Sequence, residues 1–193
     1  DVERSRGLGD VYKRQVHTQV DYTVIGLFDL PALVTFDNET NCSTGCGDAC
    51  EIKGTWKNLR VDDIDWTVIN GTTPSGGTGP NGDHTSGSGK YVFLESSSCY
   101  GQTAILESPC IDLNGIKNPA LFFWYHMYGS SMGTLHVDVK INDDPWINDY
   151  VSPFTDNTNA WQLKKVALGG IDSTAIIKLR IRGVTGGGFS ADM

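Results

Sequence analysis

Hydrophobic and polar residues alternate with period two along Thr134–Ile141. Leu135, Val137, Val139 and Ile141 fall on one face; His136, Asp138 and Lys140 fall on the other. That alternation predicts a half-buried strand. Ala175–Arg182 repeats it, with Ile177, Leu179 and Ile181 facing in and Lys178, Arg180 and Arg182 facing out. Tyr91–Glu95 is a short β-rich run. Ala120–Tyr128, ALFFWYHMY, is apolar on both faces. Its aromatic content, bracketed by Pro119 and Gly129, predicts a central strand covered on both sides rather than a buried helix. No segment keeps a 3.6-residue apolar period over ten or more residues. Between the runs, Asn70–Gly89 is almost entirely Gly, Ser, Thr, Asn, Asp and Pro, which predicts a long loop or a series of tight turns. The economical solution is all-β: two antiparallel sheets packed face to face.

Composition narrows the function. The 193 residues are enough for one domain, and 39% hydrophobic with 20% charged residues is a globular balance. The net charge of −8 argues against nucleic acid and against anionic membrane surfaces. No apolar run reaches the length of a membrane span, so no direct membrane insertion by this chain is expected. Residues 1–15 carry seven charges without periodicity and read as a linker or sequence scar. Residues 16–32 form a lead-in, and 33–193 the domain. Phe189–Met193 reads as the beginning of a strand, so the domain is expected to be C-terminally truncated.

The motifs then fall into a recognisable order. Phe36-Asp37 is followed by Trp56, DDIDW at Asp62–Trp66, TGPNGDHT at Thr78–Thr85 and GKYVFLESS at Gly89–Ser97. GQTAILESP at Gly101–Pro109, LFFWYHMYG at Leu121–Gly129, GTLHV at Gly133–Val137 and Trp161 complete the series. This set resembles the MAM domain of meprins, neuropilins and receptor phosphatase mu, over about residues 33–193. The resemblance implies a jelly-roll-like sandwich and an extracellular or cell-surface location, here in a bacterial secreted or cell-surface parent. It implies a non-catalytic recognition or adhesion role, with an extracellular protein or glycan as partner and homotypic association among the options. Any catalysis would belong to another domain.

The five cysteines are Cys42, Cys46, Cys50, Cys99 and Cys110. Family cysteine positions correspond here to Val34, Gly54 and Ala120, so family pairing does not carry over. Cys99 and Cys110 flank GQTAILESP and are the expected disulfide, on a local hairpin or adjacent strands. Two of Cys42, Cys46 and Cys50 could pair, leaving one over. Zinc at these three is disfavoured, because a fourth ligand and a nearby His are lacking in the sequence.

For a structural Ca²⁺ or Na⁺, as in some family members, the candidates are Asp37, Asp63, Asp65 and Asp83, with Glu39 in reserve. Alternation in DDIDW places Asp63 and Asp65 on one face, opposite Ile64 and Trp66. GTGPNG at Gly77–Gly82 matches a dinucleotide motif only formally, since no helix can follow it. His126 reads as a core residue satisfied by a hydrogen bond, His136 as exposed, and His84 as ordering its loop. Neither HExxH nor GxSxG occurs, so no catalytic residue is assigned. Trp146 and Trp161 lie outside the clearest strands and keep a carbohydrate-binding module as the rival reading.

Overall fold

The computed structural model describes residues 30–43, 45–188 and 191–193. Residues 1–29, which hold the expected linker and most of the expected lead-in, lie outside them. Among the described residues ten strands follow in order: β1 (Lys57–Asn58), β2 (Thr67–Asn70), β3 (Lys90–Phe93), β4 (Thr103–Glu107), β5 (Ile111–Asp112), β6 (Ala120–Gly129), β7 (Thr134–Ile141), β8 (Thr158–Ala167), β9 (Ile176–Val184) and β10 (Ala191–Asp192). All strand pairings are antiparallel, and the architecture is the all-β jelly-roll sandwich expected from the alternation.

The first sheet is organised around β9. One edge of β9 pairs along its length with β7, from Ile141↔Ile177 to Thr134↔Val184. The other edge is shared end to end by β4 and β5, and β1 lies outside β4. The outer edge of β7 is closed by the returning chain, through bridges Leu135↔Phe154 and Val139↔Ile147. Covering an edge in this way prevents adventitious strand pairing. The second sheet has two blocks, β2–β3 and β6–β8. β10 joins them: it pairs with Tyr128 and Gly129 of β6 on one side and bridges Glu95 on the other.

The core lies between the sheets. Ala104, Leu106, Leu135, Val137, Val139, Ile177 and Leu179 from the first meet Val68, Leu94, Tyr125, Met127 and Val166 from the second in one cluster. Such interdigitation of alternate residues is what the period-two pattern encodes. Gly183 marks the tightest approach. A Cβ there would lie 2.7 Å from Leu94 Cδ2 and 2.9 Å from Trp66 Cζ2. Gly183→Ala is therefore expected to lower stability by about 1–3 kcal/mol in urea unfolding. An unchanged midpoint would contradict this packing.

Three local expectations change. Asp62–Ile64 lies in bends, and Ile64, Asp65 and Trp66 are all buried, so alternation fails in DDIDW. His136 is 9% exposed rather than open, because the segment after β7 folds back across it. β6 is a strand as expected, but it is not covered on both sides, since Phe122 and Trp124 face solvent.

Candidate functional site

The acidic candidates act as acceptors for backbone amides. Asp83 is a hub in its loop: Oδ2 accepts from the Thr85 and Ser86 amides at 2.9 and 2.8 Å, and Oδ1 accepts from Ser86 Oγ and the Gly89 amide. Desolvation opposes ionisation of Asp83, but donors from Ser86, Gly89 and Thr85 outweigh it and bring the carboxyl down to about 2. Asp37 Oδ1 accepts from the Lys90 amide at 2.9 Å. Asp37 and Asp83 come together over Gly89, where a Cβ would lie 2.6 Å from one and 3.1 Å from the other.

Asp63 is engaged with β4 and Asp65 with the loops on either side of β1. Asp63 accepts from the Thr103 amide, and Asp65 from the Cys50 amide at 2.8 Å with Arg60 at 3.3 Å. Burial pushes the Asp65 carboxyl up, against the Cys50 amide and Arg60. Glu39 is buried and accepts from the Lys53 and Gly54 amides. Asp37 and Asp83 are thus neighbours at Gly89, while Asp63 and Asp65 are held by Thr103 and by Cys50 with Arg60. Among the described residues, no three His, Cys, Asp or Glu side chains gather as a metal would require.

The disulfides differ from the expected Cys99–Cys110 pair. Cys99 pairs with Cys46, with Cα atoms 5.5 Å apart, and Cys42 pairs with Cys50 at 5.4 Å. Cys110 is a free, half-buried thiol. Strand direction explains the difference. Between Cys99 and Cys110 the chain runs along β9, from Thr103↔Val184 to Ile111↔Ile177. That path displaces the two by roughly 20–25 Å, far beyond disulfide reach. The insertion holding Cys46 comes back to meet Cys99 and staples the loop after β3.

On the outer face of β7–β9 the charges are internally matched. Arg182 Nε and Nη2 donate to Asp138 at 2.9 and 3.0 Å, and Nη2 also donates to Asp149. His136 lies 2.6 Å from Asp149, which holds that carboxyl below its ordinary value with help from Arg182. Lys178 and Arg180 both reach Glu107. The Arg180 guanidinium also lies over the Trp146 ring at 3.7 Å. Opposite charges already neutralise each other here, leaving little unsatisfied charge for a ligand.

The outer face of β6–β8 is different. The Gly/Ser/Thr-rich loop covers one part of it. Trp161 Nε1 donates to the Gly82 carbonyl, and its ring meets Tyr91 and His126 edge-on. His126 is buried, 3.1 Å from Asn159 Oδ1, and burial lowers its pKa. It lies on the outer face under the loop rather than in the core between the sheets, with Nε2 bonded to Asn159 and, among the described residues, no partner for Nδ1. Beyond the loop the face is open. Phe122 is 58% exposed, Trp124 43% and Leu163 53%. The register Trp124↔Leu163 and Phe122↔Lys165 sets these side chains beside one another. His84 stacks on Trp124 at 3.5 Å, and Lys165 Nζ lies 5.5 Å from the Phe122 ring centre. Sequence reasoning missed this patch because a run apolar on both faces does not say which face stays uncovered.

A disulfide-stapled jelly-roll sandwich with an open aromatic face defines an extracellular module. Residues 35–193 match the family described as MAM domain, meprin/A5/mu, and the chain belongs to that family. Neuropilin-1a of Danio rerio is 33% identical over 135 residues, covering 68% of this chain and 14% of that protein. MAM domain-containing protein 2 of Homo sapiens is 43% identical over 81 residues, 41% of this chain and 12% of that protein. MAM domain-containing glycosylphosphatidylinositol anchor protein 1 of Gallus gallus is 32% identical over 135 residues, 65% of this chain and 14% of that protein. The chain thus spans about a seventh or less of these relatives. With two disulfides that need an oxidising compartment, its location is extracellular or at the cell surface.

Proposed function

We propose that this domain is a non-catalytic recognition or adhesion module of a larger secreted or membrane-anchored protein, and that it binds an extracellular protein through Phe122, Trp124 and Leu163. The observation that carries this reading is the contiguous exposed apolar patch on β6–β8. Exposed patches of this kind mark interaction sites, and aromatic residues supply most of the binding energy in them. A glycan reading is less well supported, since the rings it would use are occupied. Trp146 lies under Arg180, Trp161 is walled in by Tyr91, His84 and His126, and one face of Trp124 carries His84.

The immobilised domain should be offered purified extracellular ectodomains and a glycan array in parallel. Protein binding is expected, and Phe122→Ser or Leu163→Ser should weaken it about tenfold or more. Both variants should leave the unfolding midpoint nearly unchanged, because the side chains are exposed. Glycan binding lost with Trp124→Ser, or protein binding indifferent to all three positions, would overturn the proposal.

A further inference from the structure

Three N-x-S/T triplets occur in the chain: Asn38-Glu39-Thr40, Asn41-Cys42-Ser43 and Asn70-Gly71-Thr72. In a secreted chain such a triplet accepts an N-linked glycan where the asparagine amide stands in solvent. The fold gathers all three at one place. Asn38 sits in the turn closed by the Glu39 amide on the Phe36 carbonyl, and both Asn38 and Thr40 are exposed. Asn70 is the exposed last residue of β2, after the buried Val68 and Ile69. Gly71, at φ +79°, turns the chain away there, and Thr72 is exposed. Lys90 ties the two turns together. It pairs with Asn70 across β2–β3, gives its amide to Asp37 and gives its Nζ to the Glu39 carbonyl. Asn41 lies between the turns. The Cys42 amide donates to the Val68 carbonyl at 2.9 Å, so this segment follows the outer edge of β2.

The three amides are not equivalent. Asn41 Nδ2 donates to Asn70 Oδ1 at 2.5 Å, so the nitrogen that would carry a sugar is engaged. The next residue, Cys42, is fixed by its disulfide to Cys50 and by the bond to Val68. Asn70 uses only its oxygen in that contact and leaves its Nδ2 to solvent. Among the described residues no side-chain bond holds Asn38. Position matters as well. Across the second sheet the strands run β2, β3, β10, β6, β8. Three to four strand spacings, roughly 14–19 Å, therefore separate β2 from β6 and β8. Sugars at Asn38 and Asn70 would stand at the edge farthest from Phe122, Trp124 and Leu163, and would block the addition of a further strand to β2.

We propose that Asn38 and Asn70 are acceptors for N-linked glycans and that Asn41 is not. In the transfer, the asparagine Nδ2 displaces the diphosphate from C1 of a lipid-diphosphate-linked oligosaccharide. One N–C1 bond forms, the C1–O bond breaks, the amide gives up one proton and the lipid diphosphate leaves. Nothing is oxidised or reduced. The transferase and the donor belong to the secretory pathway, and the chain supplies the two amides. The assignment holds whichever molecule the β6–β8 face binds.

The whole chain should be secreted from a eukaryotic host behind a cleavable signal peptide. Its peptides are then treated with a glycan-releasing amidase in heavy-oxygen water, which turns each occupied Asn into a mass-marked Asp. Marks are expected at Asn38 and Asn70 and not at Asn41. On a gel, Asn38→Gln and Asn70→Gln should each remove one glycan step, and Asn41→Gln none. All three positions are exposed, so secretion of each variant should stay within about twofold of the parent. A mark at Asn41, or a secreted chain bare at Asn38 or at Asn70, would overturn the assignment. The map of the parent chain decides this alone, even where a substitution hinders folding.

Discussion

Cys99→Ser should lower the unfolding free energy by about 4 kcal/mol, and Cys110→Ser should leave it within about 0.5 kcal/mol. The first figure follows from loop closure. The Cys46–Cys99 bond spans 53 residues, and cross-linking a loop of that length removes about 4 kcal/mol of chain entropy from the unfolded state. The Cys42–Cys50 bond spans only 8 residues, and the same reasoning gives it about 2.5 kcal/mol. Cys110 is a free thiol, so its loss alters no cross-link. Urea unfolding of the two serine variants decides the assignment. A Cys99–Cys110 bond would make the two substitutions equally costly.

The second large effect is a dependence of stability on pH that originates in Asp192, one of two buried acids that face each other. Glu95 and Asp192, 5% and 1% exposed, stand opposite each other across the bridge that joins the halves of the second sheet. Ser75 Oγ donates to Glu95 and Thr78 Oγ1 to Asp192, so the covering loop is pinned to this pair. Among the described residues, Asp192 Oδ1 is buried without a hydrogen-bond partner. Burial pushes the Asp192 carboxyl up to about 6, and the adjacent Glu95 adds to that against the Thr73 and Thr78 hydroxyls.

A pKa raised on folding means that the folded state holds the proton more tightly. The stability this contributes is full below the unfolded value near 3.8 and is lost as pH rises through about 6. The expected loss between pH 4 and pH 7 is roughly 2–3 kcal/mol. Asp192→Asn keeps an acceptor for Thr78 and removes the charge. It should flatten this part of the profile and make the variant more stable than the parent at pH 7. A parent whose stability is constant or rising over that range, with an unaltered profile in the variant, would show that burial does not raise the Asp192 carboxyl.

Much of the fold was legible because it rests on local periodicity. Thr134–Ile141 is β7 with the predicted residues inward, and Lys178, Arg180 and Arg182 do face away from the core on β9. What could not be read depends on chain segments that return from far away. His136 and Asp138 lie on the polar face of their strand, yet both are buried. Residues 147–154 fold back along β7, and Arg182 crosses from β9. DDIDW alternates in sequence, but its acids accept amides from Thr103, Ile105 and Cys50, and the backbone bends to reach them.

The Glu95–Asp192 pair joins residues 97 positions apart and left no local signature beyond a Glu at the end of an apolar run. The recognition face was hidden for a related reason. ALFFWYHMY states that both faces are apolar, but only the path of the Gly-rich loop determines that His126 is covered and Phe122 is not.

The most direct test is an amide chemical-shift map of the labelled domain titrated with the ectodomain it binds best. Perturbations are expected to centre on Phe122, Trp124, Leu163 and Lys165, and to vanish with Phe122→Ser/Leu163→Ser. A map centred instead on the charge-matched face of β7–β9, around Lys178, Arg180 and Arg182, would contradict the assignment of recognition to the β6–β8 face.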